Sequence, residues 1–135
     1  MTRSAQVGVF LVTLGGVVLF VGMFPGAIDA ALTPEVGPVQ LMAMLAGLTL
    51  LVFGAYIFAY ATIHQGRPST LQMAIGVRMG LTGLVFAAAA TMADIMGFGS
   101  HVPSDGIFFG WLQAAGMLIG FGIAALGVLI YVLAR

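Results

Sequence analysis

Four long apolar runs constrain this chain more than any other feature. Val7 to Phe24 and Val39 to Ile63 contain no charged residue, and neither does Ile107 to Ala134. Leu71 to Met96 is apolar apart from Arg78 and Asp94. A helix that crosses a bilayer needs about 20 apolar residues, and each run is of that order. In lipid every backbone N–H and C=O must be paired within the protein, which favours helices for such runs. The sequence therefore predicts an all-α polytopic membrane protein. It forms a single four-transmembrane-helix bundle over residues 1–135, with spans at about 7–25, 39–63, 70–96 and 107–134.

Composition excludes the main alternative. Charged residues make up 6% of the chain and hydrophobic ones 61%. A water-soluble domain carries about 25% charged residues, so this chain cannot cover a water-facing surface. Its formal net charge is zero, which removes the electrostatic basis for binding nucleic acid. Cysteine is absent, and with it disulfides and thiolate chemistry. "MTRSAQ" followed by an apolar run resembles a signal peptide in outline. The run is longer than a typical signal core, so the first helix is expected to be retained.

The charges sort by side. Arg3, Arg67 and Arg135 fall at one set of helix ends, and Asp29, Glu35 and Asp105 at the other. Basic residues in short loops mark the cytoplasmic face. Both termini are thus expected in the cytoplasm, in an inner cell membrane of prokaryotic type. "HQGRPST" makes the connection between the second and third helices. There Gly66 suits a helix end, and Pro68 suits the first turn of the next helix.

Small residues repeat every seven positions. The stripes run through Gly8, Gly15 and Gly22; Gln40, Gly47, Gly54 and Ala61; Gly76, Gly83 and Ala90, flanked by Gly80 and Ala87; and Gln113, Gly120, Gly127 and Ala134. A seven-residue repeat keeps one helix face toward a neighbour, and small residues let membrane helices approach closely. Gly15, Gly47, Gly54, Gly83, Gly120 and Gly127 are the expected packing positions. The second and fourth helices also align with each other, Gln40 on Gln113, Gly47 on Gly120, Gly54 on Gly127 and Ala61 on Ala134. The first and third match at Gly8/Gly76 and Gly15/Gly83. This pattern suggests a duplicated two-helix hairpin.

Two charges lie inside the third span. They are separated by roughly 24 Å along the helix and face different directions, so they do not pair. Arg78 leans toward the cytoplasmic end, where a long side chain reaches headgroups. It reads as a lipid or subunit contact, with Tyr56 at similar depth supplying a hydroxyl. Its face carries Leu81, Val85, Met92 and Met96. Asp94 falls on the small-residue side. With Gln40 and Gln113 it forms a predicted buried polar cluster near the outer end. Such a cluster serves as interhelical glue or as a protonatable or cation-binding site.

No catalytic motif appears, and no phosphate loop or zinc-protease pattern. His101 with Asp105 is a weak metal signal, and no metal or cofactor is expected. His64 reads as an interfacial or loop histidine, and Trp111, Tyr56, Tyr60 and Tyr131 as interfacial aromatics. The functional expectation is a non-enzymatic membrane subunit that packs by glycine seams within a larger complex. Its partners are the lipid bilayer and other membrane subunits, or further copies of itself. The alternative is a small oligomeric transporter or channel that uses Asp94, Gln40 and Gln113.

Overall fold

The structure is a computed structural model that describes residues 1–24, 26, 37–96 and 111–135, with the side chains of Asp94 and Ile95 excepted. The described residues form four helices and no strand. They are α1 (Arg3–Met23), α2 (Pro38–Thr62), α3 (Leu71–Ile95) and α4 (Trp111–Leu133). At a 1.5 Å rise per residue they are about 32 to 38 Å long, enough to cross a hydrocarbon core of about 30 Å. All four are long and apolar enough to span a membrane.

The helix ends differ from the apolar runs for local reasons. α1 begins at Arg3, before the apolar run, because Thr2 caps it and its Oγ1 accepts from the Ala5 N–H at 3.3 Å. Pro38 occupies the first turn of α2, where its missing N–H costs nothing. Pro68 does not play this part in α3. That helix starts later, at Leu71, and the Thr70 hydroxyl accepts from the Met73 N–H at 3.3 Å. Gly66 lies in the connecting turn with φ +78°, a left-handed conformation that side chains disfavour.

The helices form two antiparallel hairpins, α1 with α2 and α3 with α4, and α2 is the helix that joins them. Within each hairpin the backbones nearly touch. A Cβ placed on Gly15 would lie 2.7 Å from the Gly47 carbonyl oxygen, and one on Gly54 would lie 2.7 Å from the Val12 nitrogen. In the second hairpin a Cβ on Gly83 would lie 2.6 Å from the Gly120 oxygen, and one on Gly120 would lie 2.6 Å from the Ala87 nitrogen. The heptad stripes of one hairpin therefore face each other.

The two seams are equivalent residue by residue. Gly8 abuts the backbone nitrogen of Phe58, and Gly76 that of Tyr131, both at 2.7 Å from a built Cβ. Gly15 meets Leu51 and Gly47, and Gly83 meets Ala124 and Gly120. Gly47 meets Leu19, and Gly120 meets Ala87. Gly54 meets Val12, and Gly127 meets Gly80. Under the sequence alignment each of these pairs maps onto its counterpart. The repeat thus extends from residue identity to contact geometry.

Between the hairpins the packing is of another kind. Leu41, Leu48 and Val52 of α2 share a buried core with Leu84 and Ala87 of α3 and with Met117 and Ala124 of α4. Branched and flexible side chains fill the space here, where the backbones stand further apart. The outer faces carry large apolar side chains, among them Phe10, Val17, Val85 and Leu118. Water tolerates no continuous apolar surface of that extent, but lipid does. Hydroxyls on these faces are satisfied locally: Thr13, Thr62 and Thr82 each donate to the carbonyl four residues earlier, at 2.7 to 2.9 Å.

Candidate functional site

The polar groups that join the two hairpins gather where α2 ends. Tyr56 and Tyr60 are one helical turn apart in α2, and His64 follows in the turn beyond its end. The Tyr56 hydroxyl crosses to the second hairpin and donates to the Gly76 carbonyl oxygen at 2.8 Å. It fits because Gly80 has no side chain. A Cβ on Gly80 would collide with the Tyr56 hydroxyl, and the next nearest atoms belong to the tip of the same ring. The equivalent position in the first hairpin is Val12, so this opening exists on one side of the repeat alone.

Tyr131 completes the cluster from α4. Its ring stands edge-on to Tyr56, with centroids 5.0 Å apart and planes at 86°. It is also edge-on to His64, at 5.0 Å and 77°. Edge-to-face pairs of this kind add about 0.5–1.5 kcal/mol beyond the area they bury. His64 Nε2 lies 2.8 Å from the Tyr131 carbonyl oxygen. A carbonyl only accepts, so Nε2 carries the proton and donates. That carbonyl is in the last turn of α4, where helix carbonyls lack partners within the helix. The Tyr131 carbonyl also accepts from the Ala134 N–H at 3.3 Å, and His64 adds a second, shorter bond from beyond the end of α2.

His64 lies in the turn that follows α2 and is buried there. It is 1% exposed, and the hairpin junction closes over it. Tyr131 is likewise buried, at 7% exposure, whereas Tyr60 and Trp111 are exposed as interfacial aromatics are. Tyr56, expected at the depth of Arg78, donates its hydroxyl to Gly76, two residues before Arg78 on α3. Arg78 is exposed, and Leu81, Val85, Met92 and Met96 on its face are exposed with it.

The predicted outer cluster is described only in part. Gln113 is 7% exposed and Gln40 is half-buried, each in the first turn of its helix. Their neighbours Leu41 and Met117 belong to the common core. Asp94 lies in the last turn of α3, and its side chain falls outside the described residues. So do His101 and Asp105. Among the described residues no three histidines or carboxylates gather as metal ligands.

A cleft of about 340 Å³ opens beside the cluster. Tyr60, Arg67, Arg78 and Tyr131 line it, together with Ser69 and the apolar side chains of α3. Sequence reading places Arg67 in a loop and Arg78 in a span, and gives no sign that they share a cavity. The signal is the turn at Gly66, which brings the start of α3 back beneath the end of α2.

This geometry defines a class: a four-helix protein of two equivalent hairpins, suited by length and composition to lie in a membrane. No protein-family model matches the chain, and no curated protein or solved structure matches it either.

Proposed function

We propose that this chain is a non-enzymatic integral membrane subunit, a compact packing unit that helps to hold a larger membrane assembly together. The observation that carries this reading is the filling of its interior. Backbone contact closes the seam within each hairpin, and Leu41, Leu48, Val52, Leu84 and Met117 fill the space between hairpins. A transporter needs a path for its substrate between such elements. Here apolar side chains occupy that place, and large apolar residues face outward. The glycine seams serve the protein's own fold, so partners meet the outer faces.

Purification from native membranes in a mild detergent tests the proposal. Constant co-purifying membrane proteins in fixed ratio are the expected result. A homo-oligomer alone would favour the transporter reading and count against the subunit.

The orientation belongs to the same proposal. Arg3, Arg67 and Arg135 share one side, which the positive-inside rule assigns to the cytoplasm. Single cysteines introduced at Ser69 and Ser104 should be labelled from opposite sides of sealed vesicles, Ser69 from the cytoplasmic side. Labelling of both from one side contradicts a four-span chain.

A further inference from the structure

We propose that the cleft between the end of α2 and the start of α3 binds the headgroup of an anionic phospholipid, with Arg67 and Arg78 as its phosphate ligands. The two arginines line one cleft of about 340 Å³. Neither side chain makes a hydrogen bond or ion pair among the described residues, and both are exposed. The chain's four acidic residues give them no local partner in sequence. Asp29, Glu35 and Asp105 belong to the connections that join the opposite helix ends, and Asp94 is roughly 24 Å along α3 from Arg78. Two cations in one cleft call for an anion.

Position and lining identify the kind of anion. Arg78 lies seven residues into α3, about 10 Å from its start, and its side chain leans back toward that start. Arg67 approaches from the connection, so both arginines line the cleft near the start of α3, the end expected at headgroup depth. The planar guanidinium fork matches phosphate oxygens in pairs, which a single ammonium does not. The Tyr60 and Ser69 hydroxyls add donors at the rim. Met73 and Val77 form an apolar wall, which suits the glycerol and upper acyl region of a lipid and gives nothing to a hydrated ion. Basic pockets between membrane helices on the cytoplasmic side recognise lipid headgroups in this way. A phosphodiester with no amine of its own fits best, because a zwitterionic headgroup brings a third cation to the cleft.

Native mass spectrometry of the full chain in a mild detergent, with added lipid, tests this inference. Phosphatidylglycerol is expected to bind at least about tenfold more tightly than phosphatidylcholine, since charge-assisted bonds of this type are the strong ones. Arg67→Gln and Arg78→Gln should each cut that binding about tenfold, and the double variant should lose the preference. Both arginines are exposed, so these variants should retain the parent's thermal stability. Should one fail to fold, Arg78→Lys serves in its place: it keeps the charge, loses the fork, and should bind at intermediate strength. Inorganic phosphate at millimolar concentration should not displace the lipid. Displacement by phosphate would assign the cleft to a soluble anion and overturn the proposal. A double variant that still prefers phosphatidylglycerol would overturn it as well. Neither result bears on whether the chain is a subunit of a larger assembly.

Discussion

Leucine at Gly83 is expected to cost the protein about 3 kcal/mol or more, the upper part of the range for overpacking. The reason is the identity of the neighbours. A Cβ at Gly83 meets the backbone nitrogen of Ala124 and, at 2.6 Å, the carbonyl oxygen of Gly120. Backbone atoms in the middle of a helix cannot rotate aside, so α3 and α4 must separate along their length. Leucine at Gly15, the equivalent position, should do the same to α1 and α2, because Gly47 and Leu51 stand where Gly120 and Ala124 do. Glycine positions without close neighbours are the control. At Gly16 and Gly122 a Cβ meets nothing within 4 Å, so leucine there should leave stability unchanged. Thermal unfolding in detergent measures all four variants. Equal behaviour of Gly83 and Gly122 variants would refute the seam.

The second expected result concerns Gly80 and Tyr56, and it is a failure of additivity. Gly80→Ala should destabilise by about 1–3 kcal/mol, because the added methyl group takes the space of the Tyr56 hydroxyl. The displaced hydroxyl also loses its bond to Gly76, worth about 1 kcal/mol. Tyr56→Leu alone should cost a comparable amount. Together the two changes should cost less than their sum, since the nearest atoms around a Cβ at Gly80 belong to Tyr56. A double-mutant cycle read by thermal unfolding gives the coupling. A coupling of zero would mean that the hairpins do not meet at this point.

Much of the fold was legible because lipid leaves a chain few choices. An uncharged run of span length must be helical, and small residues at heptad spacing mark a close approach. Those two rules find all four helices and the glycines that the structure places in the seams. They locate helix ends poorly. Apolarity marks the hydrocarbon region, whereas α1 begins at Arg3 because a threonine caps it.

The junction was harder to read. His64 follows the last apolar residue of its span, and a reading by depth puts it at the interface. Its partner is a backbone carbonyl at the end of another helix, which no residue identity reveals. Gly80 reads as one more small residue beside a stripe. Its use depends on a tyrosine in the other hairpin, so only the arrangement of the hairpins displays it. Arg67 and Arg78 were visible separately. Their convergence follows from the left-handed turn at Gly66, a feature of the path and not of the composition.

The sharing of α2 between the hairpins has a mechanical consequence. Each hairpin is closed by backbone contact along a whole face. Among the described residues the joint between them rests on α2, on the apolar clusters that α2 shares with α3 and α4, and on the hydrogen bonds of Tyr56 and His64. Stress on this molecule therefore does not distribute evenly. A shear from a moving neighbour or a thinning bilayer meets fewer contacts at that joint than along either seam. The arginine cleft opens on that same joint, lined by the end of α2, the start of α3 and Tyr131 of α4.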